Sequence, residues 1–340
     1  MTNNLLSIVI PIYNEGKCID ALWQRLQSVE ANIRDFAIEY IFVNDGSTDN
    51  SLSLLKHIAE HDTRVKIISF SRNFGHQIAI TAGIDYAGGE AVIVMDADLQ
   101  DPPELVHDML EKYREGYDVV YAVRRVRKGE TYFKRKSAEF FYKIMNRLSL
   151  VSIPPNTGDF RLMSRRVVAS LSLLRERDRF VRGMISWVGF RQTGIEFDRD
   201  PRLAGETKYP LRKMMKFAFD GIVSFSNVPL KLATWMGFIT SFLSIFYIFV
   251  VLVKKFLGYT LPGYASIMIS ILFLGGVQLI TIGILGEYIG RIYNEAKARP
   301  LYLVEETVNI DGNRYLGEGG GRDKYIPSPT RGEGKGEGKQ

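Results

Sequence analysis

Val92-Ile93-Val94-Met95-Asp96-Ala97-Asp98-Leu99-Gln100-Asp101-Pro102-Pro103 runs from an apolar segment straight into a cluster of acids. The apolar segment reads as a strand buried on both faces. In an extended chain, residues two apart share a side. Asp96, Asp98 and Gln100 are therefore expected to aim three oxygens into one space beyond the strand's carboxyl end. Two carboxylates that close repel, and they stay ionised together when a cation lies between them. Hard oxygen donors suit Mg²⁺ or Mn²⁺, ions that bridge to nucleotide phosphates. Asp101 is expected to cap the following helix, with Pro102 at its first position.

Working outward, the same pattern repeats. Ser7–Ile12, Glu39–Asn44, Val65–Phe70 and Asp118–Ala122 read as further strands. Between them, Ile19, Leu22, Trp23 and Leu26, then Leu52, Leu55, Ile58 and Ala59, then Ile78, Ala82 and Ile84 have helical spacing. Strands alternating with helices predict an α/β domain with a mostly parallel, Rossmann-like sheet covered on both faces. Ligands of such sheets bind beyond the carboxyl ends of the strands. Three polar turns fall on that edge: Tyr13-Asn14-Glu15, Asn44-Asp45-Gly46-Ser47 and Asp96-Ala97-Asp98. Together they suggest a nucleotide-diphosphate pocket. No Gly-x-Gly-x-x-Gly, Walker loop or Gly-x-Ser-x-Gly is present. His57, His61, His76 and His107 are read as structural or surface residues without metal spacing. Cys18 is the single cysteine, so no internal disulfide forms and a reducing compartment is expected.

The series Val9-Ile10-Pro11-Ile12-Tyr13-Asn14-Glu15, Val43-Asn44-Asp45-Gly46-Ser47-Thr48-Asp49, Arg72-Asn73-Phe74-Gly75 and Asp96-Ala97-Asp98-Leu99-Gln100-Asp101 resembles the motif series of family 2 glycosyltransferases, which have the GT-A fold. Asn156-Thr157-Gly158-Asp159-Phe160-Arg161 and Arg202-Leu203-Ala204-Gly205-Glu206-Thr207-Lys208-Tyr209 resemble its polyprenyl-phosphate branch, that of dolichol-phosphate mannose synthase and the GtrB-type enzymes. The resemblance covers roughly residues 5 to 300. It implies that Pro11, Tyr13, Glu15 and Asp45 hold the donor's base and ribose. Asp96 would sit by ribose and metal, and Asp98 and Gln100 would bind the metal. Asp159 would lie near sugar and acceptor, and Arg202 and Lys208 would hold phosphate. The Gln-x-x-Arg-Trp of processive relatives is missing between Arg175 and Trp187, which argues against a polymerase.

The net charge of +6 permits an anionic partner without naming one. Arg124-Arg125-Val126-Arg127-Lys128 and Lys134-Arg135-Lys136 place cations after the fifth strand. They suit an anionic acceptor and equally a basic surface on anionic lipid. Arg124 ends the strand that should reach the site, which makes it the first candidate for the acceptor phosphate, with Lys128 and Arg135 behind it.

Residues 210–227 alternate cations with Met and Phe and read as an amphipathic interfacial helix after a catalytic domain of residues 1–209. Val228–Val253 and residues 264–286 are each long and apolar enough to span the roughly 30 Å hydrocarbon core, as a hairpin. Lys254 and Lys255 mark the turn, but the larger basic set, from Lys208 to Lys231 and Arg291 to Arg299, lies on the other side. The positive-inside rule then puts the catalytic domain and both termini in the cytoplasm of a multi-pass inner-membrane protein. Gly275-Gly276 permits close helix packing, against the first span or, as a homo-oligomer contact, a second protomer. Residues 287–316 are expected to form a post-membrane helix and a short strand, and 317–340 a disordered Gly-, Lys- and Glu-rich tail.

The resulting expectation is a Mg²⁺- or Mn²⁺-dependent membrane glycosyltransferase. It would move a hexose, glucose from UDP-glucose first, to undecaprenyl or another polyprenyl phosphate with inversion, and would have no nucleic-acid partner. The competing readings are a GDP-mannose-dependent mannosyltransferase on the same lipid and a non-catalytic scaffold or flippase component.

Overall fold

The structure, a computed structural model, describes residues 4–125, 154, 156–198, 228–258 and 263–310. Lys128, Arg135, Arg202, Lys208, the expected interfacial helix and the C-terminal tail lie outside these residues.

Strands β1 (Asn4–Ile12), β2 (Phe36–Asn44), β3 (Val65–Phe70) and β4 (Ala91–Val94) alternate with helices α1 (Ile19–Glu30), α2 (Ser51–His61) and α3 (His76–Tyr86). After α4 (Leu105–Arg114) come β5 (Val119–Arg124), β6 (Thr157–Ser164), α5 (Arg165–Leu173), α6 (Val181–Trp187) and β7 (Gln192–Phe197). Two long helices follow, α7 (Val228–Phe256) and α8 (Tyr264–Ala296), and then β8 (Val304–Val308). One sheet holds all eight strands in the order β7-β5-β6-β4-β1-β2-β3-β8. The pairs β1–β2, β1–β4, β2–β3 and β5–β7 are parallel, whereas β6 runs antiparallel to both β4 and β5, and β8 antiparallel to β3.

Strand alternation feeds two apolar layers. Ile8, Ile10, Tyr40 and Phe42 face α1, α2 and α4, while Val9, Ile41 and Val43 face α3, α5 and α6. Helix α3 lies especially close to the sheet. A Cβ on Gly83 would stand 2.1 Å from Val9 Cγ1, so only glycine permits this approach.

Several local expectations need correction. The strand of the opening stretch stops at Val94, so Asp96, Asp98 and Gln100 lie in a turn rather than on one side of a strand. Leu99 takes φ 55° there, which breaks the alternation. Asp101 does not cap α4. The helix starts at Leu105, after a turn in which Leu105 N–H donates to Pro102 O. Strand β6 was not foreseen, because Asp159 and Arg161 occupy buried positions in it and disguise its apolar pattern.

Helices α7 and α8 pack against each other as a hairpin. The most apolar 18-residue stretches within Val228–Lys254 and Ile269–Ala296 have mean hydropathies of 2.4 and 2.1, and Phe238, Phe242, Ile271 and Phe273 point outward. Both helices are long and apolar enough to cross a membrane. The expected post-membrane helix is the direct extension of the second span. It continues unbroken to Ala296, with Arg291 Nε donating to Glu287 Oε1 one turn back at 3.1 Å. A Cβ on Gly275 or Gly276 would meet nothing within 4 Å, so these glycines do not receive the first span. Past the hairpin the chain returns to the sheet as β8, which gives the catalytic sheet a strand from beyond residue 209.

Gly83→Ala tests the close approach of α3. Alanine normally favours a helix by about 1 kcal/mol over glycine. Here the expected outcome is the reverse, a lower thermal midpoint, with recovery when Val9→Ala is added.

Candidate active site

The chain proceeds from β1 through β2 to β3 on one side, then returns to β4 on the other side of β1. The crevice beyond β1 and β4 is thus a topological switch point, where open α/β sheets bind ligands. Two polar turns at this edge are laced together. Asn14, at φ 55°, accepts hydrogen bonds from Thr48 N and Asp49 N, while Ser47 Oγ accepts from Asn14 N, Ser51 Oγ from Glu15 N and Asp49 from Gly16 N. Pro11 is buried at the end of β1, Tyr13 is half exposed beside it, and Glu15 follows.

Asp45 is only 2% exposed. Its carboxylate accepts from Phe74 N at 2.6 Å, Gly75 N at 3.0 Å and Asn73 Nδ2 at 2.9 Å, so it shapes the loop that opens α3. Burial pushes its pKa up, against the pull of these donors.

The antiparallel β6 brings the second acid of the site. Val94 pairs with Arg161 in antiparallel register, so the turn residue Asp96, two residues past Val94, emerges on the side of Asp159, two residues before Arg161. Arg182, on α6, grips Asp159 with both arms: Nε to Oδ1 at 2.8 Å and Nη2 to Oδ2 at 2.9 Å. His76, the first residue of α3, places Nε2 3.1 Å from Asp159 Oδ2 and 3.4 Å from Asp96 Oδ1. Burial opposes the charge on Asp159, yet Arg182 and His76 hold its carboxyl well below the usual range. The same acids raise the pKa of His76 against the partial desolvation of its ring.

Asp96 is in the opposite condition. Its Oδ1 is buried with no hydrogen-bond partner. Burial, countered in part by His76 and reinforced by Asp159, Asp101 and Asp98, pushes its carboxyl up to about 6. A buried carboxylate oxygen with no hydrogen bond, only the His76 ring 3.4 Å away, among three other acids fits a divalent cation, and ligand atoms of His76, Asp96 and Asp159 lie within 4.8 Å of one another. Asp98 Oδ1 accepts from Gln100 N at 3.1 Å, and Gln100 is buried in the same turn.

Arg124 reaches this edge, where Asp101 anchors it. Its Nη2 lies 3.2 and 3.3 Å from the two carboxylate oxygens of Asp101, which is drawn inward instead of capping α4. Gly158 makes room for the guanidinium, since a Cβ there would stand 2.7 Å from Arg124 Nη2. The neighbouring Arg161 is buried, donates to Gly158 O at 2.7 Å, and has its pKa lowered to about 10 by desolvation.

The structure therefore joins Asp96, Asp159 and Arg124 at one edge and adds two residues that the sequence reading passed over. His76, expected to be structural or on the surface, directly follows Arg72-Asn73-Phe74-Gly75 and enters the site. Arg182 lies between Arg175 and Trp187, where no local motif marks it. His57 and His61 do stand one helical turn apart, with Glu60 between them, all exposed on α2.

A family model for glycosyl transferase family 2 matches residues 7–171, and one for the GtrB C-terminal hairpin matches residues 228–292. The glycosyltransferase YkcC of Bacillus subtilis is 53% identical over 309 residues, covering 91% of this chain and 95% of its own. The chain belongs to glycosyltransferase family 2. The transferase is also 54% identical to the glycosyltransferase sll0501 of Synechocystis, over 90% of this chain and 96% of that one. It is 43% identical to a prophage-derived bactoprenol glucosyl transferase of Shigella flexneri, over 89% of this chain and 98% of that one. Its mixed, mostly parallel sheet is the GT-A arrangement of this family.

The raised Asp96 pKa has a thermodynamic consequence. Asp96 holds a proton more tightly folded, at about 6, than at its ordinary 3.8. Its contribution to stability is full below about pH 4 and lost as pH rises through about 6. Without divalent cations, Asp96→Asn is expected to stabilise the detergent-solubilised transferase by about 1–2 kcal/mol at pH 7.5, and by less at pH 5. Thermal melts at both pH values check this, and equal shifts at the two would count against it.

Proposed function

We propose that the transferase moves a hexose from a nucleotide diphosphate sugar to a polyprenyl phosphate at the cytoplasmic face of the membrane. The observation that carries this reading is the state of Asp159. With both oxygens engaged by Arg182 and His76 and its pKa depressed, it is a poor proton acceptor. An alcohol acceptor needs a base, whereas a phosphate monoester arrives already ionised. Asp159 then orients Arg182 and His76 beside the reacting sugar rather than abstracting a proton. The two apolar helices supply the lipid setting that such an acceptor requires.

Asp45, Pro11, Tyr13 and Glu15 line the edge where the base and ribose of the donor would lie. Asp96, Asp98 and Gln100 would hold Mg²⁺ or Mn²⁺, which supplies positive charge against the diphosphate leaving group. Arg124, poised on Asp101, is the described cation closest in role to a phosphate grip, with Lys128, Arg135, Arg202 and Lys208 as its partners from sequence. Attack by the acceptor phosphate oxygen on the sugar carbon, opposite the departing diphosphate, inverts that carbon and yields a polyprenyl-phosphate sugar. Relatives named bactoprenol glucosyl transferases support glucose, with UDP-glucose as the first donor to test. The basic residues flanking the hairpin support a cytoplasmic catalytic domain.

The deciding experiment offers radiolabelled UDP-glucose, UDP-galactose and GDP-mannose to purified, detergent-solubilised protein with undecaprenyl phosphate, with Mn²⁺, Mg²⁺ or EDTA. Solvent-extractable label from UDP-glucose, abolished by EDTA, is expected. Label from GDP-mannose alone would change the donor, and no lipid label from any donor would overturn the reading. In the same assay Arg182→Ala is expected to lower kcat about 100-fold, the scale of losing one preorganised charge at a reacting centre.

A further inference from the structure

The inner end of α8 rests on the segment that leads into Arg182. Glu295 Oε1 accepts a hydrogen bond from the backbone N–H of Arg177 at 2.6 Å. One turn earlier, Arg291, only 16% exposed, lies 3.7 Å from Asp178 while also holding Glu287. The segment 174–180 is pinned at its other points as well. Arg175 pairs with Asp85 at 2.7 Å, and Arg179 Nη1 donates to Leu174 O at 2.6 Å. Tyr302, just past the hairpin, donates to the same Asp85 at 3.0 Å and stacks on Phe70. At its far end Val181 N–H donates to Gln77 Oε1 at 3.0 Å, and the next residue is Arg182.

This arrangement brackets one short segment between the hairpin and the reacting centre. Gln77 and His76 are adjacent on α3, so the same helix start holds α6 in place and touches Asp159. Three residues separate Asp178, held by α8, from Arg182, held by Asp159. An ordered segment this short transmits a displacement of one end to the other.

We propose that Glu295 and Arg291 are positioning residues for the Arg182–Asp159 pair, so that the site is assembled only while the inner end of α8 is docked on residues 177–178. The apolar helices are then more than an anchor: their seating sets the geometry of the catalytic clamp. The proposal rests on the glycosyl-transfer reading of Asp159 for its kinetic consequence, but not for its structural one.

Glu295→Ala and Glu295→Gln separate the two. Glutamine keeps a carbonyl oxygen to accept from Arg177 N–H, and alanine does not. In the full-length protein in nanodiscs, hydrogen–deuterium exchange over residues 177–187 is expected to quicken at least three-fold in Glu295→Ala and to match the parent in Glu295→Gln. In lipid-transfer assays, Glu295→Ala is expected to lower kcat about ten-fold with the donor KM within two-fold, and Glu295→Gln to retain at least half of the parent rate. Asp178→Arg is expected to be impaired likewise, and Asp178→Arg with Arg291→Asp to recover. Unchanged exchange in Glu295→Ala, equal effects of the two Glu295 substitutions, or a loss confined to KM would overturn the proposal. If the parent transfers no sugar to lipid, the function reading fails by itself, and the exchange measurement still decides whether α8 orders the segment.

Discussion

A carboxylate held by an arginine on one side and a histidine on the other sits at the centre of this molecule. Asp159 is almost wholly buried, and a lone buried carboxylate is costly. The three groups come from three separate elements: β6 carries the acid, α3 the histidine and α6 the arginine. Each partner in turn demands a supporting contact. Arg182 also donates to Thr157 O, and Gln77 beside His76 receives Val181 N–H. The clamp thus fixes how the antiparallel part of the sheet meets the parallel part. Beside it, Asp96 is in a different condition, with a buried oxygen that makes no hydrogen bond and has only the His76 ring 3.4 Å away, and this difference between two adjacent acids divides their tasks.

The donor edge is built by a different means. Short polar side chains there satisfy the backbone of neighbouring turns. Asn14 serves the turn after β2, Ser47 and Ser51 return bonds to the turn after β1, and Asp45 collects the N–H groups that open α3. These are the groups that helix starts and tight turns leave without partners. Satisfying them from adjacent turns makes the edge rigid before any ligand arrives, a form of preorganisation.

The hairpin and the sheet are one connected structure rather than a domain with a separate anchor. After α8 the chain lays Tyr302 over Phe70 and adds β8 to the edge of β3, where Lys56 and Glu306 pair. The outward-facing apolar side chains of α7 and α8 find no partner within the described residues, which is the pattern of surfaces that lipid covers.

Much of this was legible from local pattern. The alternation of β1 to β4 with their helices, the three polar turns at one edge and the two apolar spans each depend on residues close in sequence, and periodicity reports those directly. The reading went astray where distant segments compete for the same residue. Asp101 has the sequence of a helix cap, but Arg124 draws it inward. Asp159 and Arg161 look like loop polarity, but partners from α6 and the Gly158 carbonyl let them lie within a buried strand. The sequence by itself determined the α/β order, the acidic edge and the membrane-length helices, because these follow from spacing and hydropathy. Only the tertiary structure decided that His76 and Arg182 belong to the site and that the end of α8 rests beside them. Charge pairing across 83 and 23 residues leaves no periodic trace in the chain.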